Sequence, residues 1–476
     1  MAHIMNAGHD IKAQETAKLP DTWRGEMGAL LRLGIPMALT QLVQFSIYFV
    51  DAVMIGRLSP VDIAAVGIGS IIVFLMWMIG GGPAIAVSPL ASQALGADVN
   101  DTRDVRRTVR MGLWAVFGLT PLIFAVLFLT KPVALALGQD PEATRRAQTY
   151  VFAVGIGLPF TLGTLVLRNF LAALDKTLIP FIIIVLVTLL NAFFNAVMIF
   201  GLFGFPRLEL IGAGLASTLS AILGFGLFIA YIQWDSRAKT FDIFKNILKP
   251  DWERLKDVVR LGWPISVTMM FEGMLFNAGL LIVGVIGVIE QAAYQIGLNI
   301  ASLAFMLSYG MSMAGAVRIG LARGAGNLPA QKRAATTTII ASIFAIGIFA
   351  VPMAITPETI AALYLDVNKP ENQKVMAFIL TFVPIAAAFA FFDAAQVACN
   401  QLLRGLKDVN WTMFLTGVSY WVIGFPVAYY LAFYTPLGAR GVWYGLMAGL
   451  IAAFIALGIR LVQQLRRDQA LPSTPR

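Results

Sequence analysis

The sequence is poor in the side chains that most often carry enzymatic or metal chemistry. Its 476 residues include one cysteine, Cys399, and two histidines, His3 and His9. A single thiol excludes an intrachain disulfide, and histidines confined to the polar N-terminal segment exclude a histidine-ligated metal or a histidine proton relay in the rest of the chain. No GxxxxGK[ST] phosphate loop occurs, so no motif points to ATP as energy source. Charge is scarce as well: Asp, Glu, Lys and Arg make up 13% against 58% hydrophobic residues, and mean hydropathy is +0.78. Soluble domains carry about 25% charged residues, so this composition is that of a polytopic membrane protein. The formal net charge of +9 lies in short basic clusters between apolar runs rather than on one surface, which argues against nucleic acid as a partner. Residues 1–27 lack the apolar core of a signal peptide, and the first five could be partly an expression remnant.

Apolar stretches long enough to span a bilayer recur near 33–56, 62–96, 108–130, 147–170, 178–201 and 211–232, then near 261–287, 291–324, 335–356, 375–405, 409–434 and 438–462. The expected fold is therefore all-α, with twelve transmembrane helices in two six-helix bundles around a central cleft. The long hydrophilic break at 233–260 is the natural linker. It separates an N-lobe at 30–232 from a C-lobe at 261–465, leaving a segment at 1–29 and a tail at 466–476. Most Lys and Arg fall on one side when the N-terminus is taken as cytoplasmic, which places both termini inside. In that assignment every basic residue lies outside the membrane or near its edge. Three acids remain within spans: Asp51, Glu272 and Asp393.

An offset of 228 residues lays Leu261-Gly262-Trp263-Pro264 on Leu33-Gly34-Ile35-Pro36, and the register continues ungapped to Gly324-Ala325 on Gly96-Ala97. The chain reads as a duplicated six-helix unit. Six is even, so both copies enter the membrane in the same direction and the halves are related by an axis along its normal.

The polar residues inside spans form stripes. In the first helix Gln41, Gln44, Tyr48 and Asp51 share one face, about a turn beyond Pro36. In the fifth, Asn191 and Asn195 are one turn apart; such amides can hydrogen-bond Asp51 or offer carbonyl oxygens to a cation, or simply join helices. Glu272 falls opposite Gln44 in the repeat register, with Thr268 one turn before it. The eighth helix carries Gln295, Asn299 and Ser302. In the tenth, Asp393, Gln396 and Asn400 share a face of an otherwise apolar run, and an ionisable group there is costly enough to imply function. If Glu272 and Asp393 share a cavity they repel unless a cation or proton lies between them, which is the chemistry of ion coupling. Gly80, Gly81 and Gly82 mark either a bend or a close backbone approach. The glycosylation patterns at Asn100 and Asn410 fall on the cytoplasmic side and are read as accidental.

Phe49-Val50-Asp51-Ala52-Val53-Met54-Ile55-Gly56, then Phe271-Glu272-Gly273-Met274-Leu275-Phe276, then Asp393-Ala394-Ala395-Gln396-Val397 leading to Leu403-Arg404-Gly405-Leu406-Lys407-Asp408, resemble the signatures of the multidrug and toxic compound extrusion (MATE) family, NorM-type bacterial branch. The resemblance runs from about Leu30 to Arg460. It implies a secondary active antiporter, not an enzyme, that exports organic cations across the bacterial inner membrane by alternating access in exchange for Na⁺ or H⁺. It also implies a monomer embedded in the lipid bilayer, without a cofactor. The sites it implies are Asp51 with Asn191 and Asn195 in the N-lobe and Glu272 with Asp393 in the C-lobe, any of the three acids being a candidate for Na⁺. Pro36 matches a proline at which the first helix bends. Where some relatives have a tyrosine one turn before Asp393 this chain has Phe389, and where relatives often carry a threonine in the sixth helix it has Ser217 followed by Thr218. A lipid-linked flippase of the same superfamily is the alternative, expected to place Arg or Lys in the cleft. An intramembrane enzyme would need a nucleophile, metal ligands or an Asp-rich motif, which three scattered acids do not supply.

Overall fold

Apolar runs of this length must satisfy every backbone group internally, and here they do so as helices. The computed structural model describes residues 19–362, 369 and 372–470; the side chains at 48, 49, 52, 360, 469 and 470 fall outside the description. Among the described residues twelve helices are long and apolar enough to cross a membrane. They are α1 (Trp23–Ile55), α2 (Pro60–Ala97), α3 (Thr102–Ala136), α4 (Pro141–Ala173), α5 (Leu178–Phe200) and α6 (Glu209–Trp234), then α7 (Trp252–Ile286), α8 (Val288–Gly324), α9 (Leu328–Ile355), α10 (Gln373–Gly405), α11 (Val409–Phe433) and α12 (Ala439–Ala470). They form two six-helix bundles about a central cleft. Twelve spans return the start of α1 and the end of α12 to one face of the molecule, called here the terminal face.

Several helices begin well before their apolar runs. The α7 helix starts at Trp252, behind an Asp251 cap whose side chain accepts from the Arg254 N–H, and α9 starts at Leu328 behind the Asn327 cap. Hydropathy sees only the lipid-matched part of a helix, whereas capping residues set where its first turn closes.

The duplication is visible in matching bonds. Pro36 and Pro264 each sit inside a helix and carry the same side-chain bond one turn on: Thr40 donates its hydroxyl to the Pro36 carbonyl, and Thr268 to the Pro264 carbonyl, both at 2.7 Å. The two bundles touch through matching glycines. Gly82 of α2 lies against Gly262 and Ser266 of α7, and the equivalent Gly310 of α8 lies against Ala38 of α1. Gly96 and Gly324, which are each other's counterparts, bring the ends of α2 and α8 together. A Cβ on either would collide with the facing backbone, so glycine is required for the approach. The α2 helix runs unbroken through Gly80, Gly81 and Gly82, which settles the two sequence readings in favour of close approach.

These backbone-to-backbone approaches all lie in the parts of the helices nearer the terminal face, and polar contacts seal the same end. Glu26 of α1 pairs with Arg318 of α8, and Gln93 of α2 donates to the Gly405 carbonyl of α10 at 2.8 Å. Arg107 of α3 pairs with Asp251 at 2.5 Å, and Arg254 of α7 reaches Asp104 at 2.7 Å. These contacts hold the bundles together at the terminal face.

Candidate functional site

In the first bundle α1 and α5 bring Asp51, Asn195 and Asn191 together. Asn195 donates its amide to the Asp51 carboxylate at 2.5 Å and to the Asn191 carbonyl oxygen at 3.2 Å. Both asparagines are buried, and the Asn195 carbonyl oxygen has no hydrogen-bond partner among the described residues. A carboxylate and two amides, with one amide oxygen unspent, form a site of hard oxygen ligands.

The rest of the first-bundle stripe is engaged differently. Gln44 accepts a hydrogen bond from the Arg168 guanidinium of α4 at 2.7 Å. Arg168, Thr40 and Gln41 also line a small pocket with Met37, Thr177 and Met313. The Tyr48 side chain lies outside the described residues. Thr218, which shares the sixth-helix position with Ser217, donates its hydroxyl to the Ala153 carbonyl at 2.5 Å and packs against Gly157, where α4 is interrupted. Its hydroxyl is spent on joining helices. Ser217 is half-buried.

In the second bundle Asp393 is buried in α10 and Glu272 half-buried in α7, and the charge of Glu272 is felt at Asp393. One Asp393 carboxylate oxygen, the Gln396 carbonyl oxygen and the Asn400 carbonyl oxygen are all buried without a hydrogen-bond partner among the described residues. Leaving one such group unmade costs about 1–3 kcal/mol, so three on one helix face leave hydrogen-bonding capacity that the described side chains do not meet. Gln396 donates its amide to the Tyr420 hydroxyl of α11 at 2.7 Å. On α8, Gln295 donates to Asn299 at 3.2 Å, with Asn299 exposed and Ser302 half-buried. Thr268 is committed to the proline kink. Phe389 stands edge-on to Trp443 at 5.5 Å and to Phe276 at 5.8 Å, so the position that carries a tyrosine in some relatives is here part of an apolar aromatic cluster.

Three arginines near helix ends turn their side chains into the protein. Arg168, Arg318 and Arg404 are set among packed helices, and the charge of Arg404 reaches Glu272 although the two make no ion pair. Each arginine lies near the end of its helix, and its long side chain carries the guanidinium inward rather than out to the surface. Arg168, Arg404 and Tyr420 are the residues that sequence reading passed over. The two arginines carried a signal, as charges inside an apolar pattern; Tyr420 carried none.

No group of three or more Asp, Glu, His or Cys side chains capable of holding a metal is found among the described residues. A coupling cation, which is a transported substrate rather than a resident metal, would have to draw on amide, hydroxyl and carbonyl oxygens beside one or two carboxylates. The unpartnered oxygens around Asp51 and Asp393 are of that kind.

With two half-buried acid sites in two matched bundles, the geometry is that of a transporter built from parallel repeats. The chain belongs to the MatE family, whose model matches residues 36–197 and 264–430, once in each half. The matches begin at Pro36 and Pro264, the two kink prolines. Among its relatives is the probable multidrug resistance protein NorM of Rhizobium meliloti, 38% identical over 96% of this chain and 97% of that protein. The protein of the same name from Pseudomonas putida is 34% identical over 93% and 95%. The fold is similar to that of a solved MATE in the straight conformation, at a TM-score of 0.85 and 21% identity over 96% of this chain and all of that one. It also matches an outward-facing multidrug resistance MATE family transporter, at 0.83 and 22% over 97% and all of that chain. The protein is thus a transporter and not an enzyme.

Proposed function

We propose that the protein is a secondary active multidrug efflux antiporter that exports organic cations in exchange for Na⁺ or H⁺ by alternating access. The reading is carried by one observation: each bundle holds a carboxylate beside an unpartnered buried oxygen, Asp51 with Asn195 in one and Asp393 with Gln396 in the other. Groups that are costly to bury empty and ionised are stabilised by a proton or a small cation, so occupancy can bias which face of the cleft is open. The names of the NorM relatives support drugs as the exported class.

In this reading the terminal face is cytoplasmic, both termini are inside the bacterial inner membrane, and the locked end gives an outward-open cleft between lobes at 30–232 and 261–465, joined by 233–260. Exported cations bind against aromatic and Met side chains of the cleft, with Gln295, Asn299 and Gln44 among its polar groups, and the chain works as a monomer. Asp51, Asn191 and Asn195 form one coupling site and Glu272 with Asp393 the other, Asn400 and Gln396 supporting the second. Arg168 supplies one interior basic group of the sort that a lipid-linked flippase would use, which keeps that alternative open. Proteoliposomes given a Na⁺ gradient or a pH gradient separately, with a fluorescent lipophilic cation or a lipid-linked pyrophosphate as cargo, test both. Gradient-driven movement of the cation supports the antiporter, and movement of the lipid alone supports the flippase.

A further inference from the structure

We propose that Tyr420 is a positioning residue for cation capture in the second bundle, acting through Gln396; this rests on reading Glu272 and Asp393 as a coupling site. The local backbone is unusual. Between Val409–Gly417 and Phe425–Phe433 the α11 helix passes through a π-helical stretch, Val418–Gly424, in which the Phe425 N–H donates to the Tyr420 carbonyl five residues back. Widening a helix by one residue per turn rotates the side chains that follow out of the α phase, and such stretches are found most often where a side chain must be aimed.

The stretch is gripped on two sides. Gly417 packs against the ring of Phe271, the residue before Glu272 on α7, and Gly424 meets Gly449 of α12 backbone to backbone. The Tyr420 side chain is thereby fully buried against Gln396 of α10, where the charges of Asp393, Arg404 and Glu272 are felt.

The hydrogen-bond inventory then assigns a role. Tyr420 accepts the Gln396 amide at 2.7 Å, so its own hydroxyl proton remains to be donated, and the negative charges felt at it are those of Glu272 and Asp393. Holding the Gln396 amide by its nitrogen turns the Gln396 carbonyl oxygen the other way. That oxygen and an Asp393 carboxylate oxygen, three residues apart on one helical face, are both buried without a partner. Tyr420 therefore fixes the Gln396 oxygen, which with the Asp393 oxygen one turn away on the same face makes a ready pair for a small cation or a proton. Phe389 offers no hydroxyl from within α10, and in this chain the phenol comes from α11 instead.

The test is a titration of export against the driving cation, Na⁺ or H⁺, in proteoliposomes containing the full chain. Tyr420→Phe keeps the buried ring and removes only the hydroxyl. The half-saturating cation concentration is expected to rise about five- to tenfold, the weight of one buried hydrogen bond, while the rate at saturating cation changes less than about twofold. Gln396→Leu should give a similar rise, and Tyr420→Phe should add nothing to it. A cation dependence equal to wild type in Tyr420→Phe, a uniform loss at every cation concentration, or full additivity with Gln396→Leu would overturn the role. If Tyr420→Phe does not reach the membrane, Gln396→Leu alone decides: its half-saturation must shift, and an unchanged value overturns the role. Wild-type export that ignores both gradients would instead refute the antiporter reading, and this inference with it.

Discussion

Arg318 holds Glu26 in a two-pronged ion pair, Nε to one carboxylate oxygen at 2.9 Å and Nη2 to the other at 2.7 Å, with both residues buried between α8 and α1. It joins one bundle to the other at the terminal face. Removing one partner leaves an uncompensated buried charge, worth about 3–5 kcal/mol. Arg318→Met and Glu26→Leu should each lower the unfolding midpoint in detergent. The double replacement should recover most of the loss, because an apolar pair of similar volume requires no desolvated charge. Equal midpoints for wild type and single variants would contradict the packing described.

The glycine contacts predict a different defect. Gly324→Val places side-chain atoms against the Gln93 carbonyl of α2, where backbone cannot yield. The bundles should then fail to close at the terminal face. Turnover is expected to fall at least about tenfold, while equilibrium binding of a lipophilic cation persists. Wild-type turnover would show that the locked end is not part of the cycle.

Asp393→Asn and Glu272→Gln keep size and hydrogen bonding but cannot change charge. Each should abolish gradient-driven export with insertion and folding intact. Transport at the wild-type rate in either variant, at matched expression, would remove that residue from the coupling site.

Asp51 has a distinct place. It lies fifteen residues beyond Pro36, about 22 Å along α1, away from the terminal face, and accepts from Asn195. In the repeat register its counterpart is Gly279, so the bundles cannot treat ions alike. Asp51→Asn should slow release, lowering turnover by about tenfold while leaving equilibrium substrate binding within about twofold. A large loss of binding with normal turnover of what still binds would refute the division.

The terminal face also carries a pH signature. The Arg107 guanidinium hydrogen-bonded to Asp251 holds that carboxyl down to about 2, against the opposing effect of its burial. A depressed folded value means the stabilisation is fully present above the unfolded pKa, near 4, and is lost as pH falls through 2. Proteolytic nicking of the 233–260 linker should therefore stay slow down to about pH 4 and accelerate below it. In Asp251→Asn the acceleration over that window should disappear. An unchanged pH profile in the variant would place the sensitivity elsewhere.

Much of this architecture is legible in the sequence because bilayer length and internal duplication impose simple patterns. Twelve apolar runs give twelve helices, and the pairing of Pro36 with Pro264 reappears as two matching Thr-to-Pro bonds. The spacing of Asn191 and Asn195 left open a bond to Asp51, a cation site or a simple helix join, and the structure shows the bond from Asn195 to Asp51. The inward course of the Arg168 and Arg404 side chains was not legible, because a charge near the end of a run looks like a solvent-facing residue until its packing is seen. Thr218 looked like a site residue, but its hydroxyl reaches the α4 backbone. Tyr420 depends on a π-helical stretch produced by packing against α7 and α12, and nothing in an apolar run announces where such a stretch falls.

The most direct test of the account is export of a fluorescent lipophilic cation from proteoliposomes under an imposed Na⁺ or H⁺ gradient, comparing wild type with Asp393→Asn. Transport driven by one of the gradients in the wild type and absent in the variant is the predicted result. Export that needs neither gradient, or that proceeds equally without the Asp393 carboxylate, would contradict it.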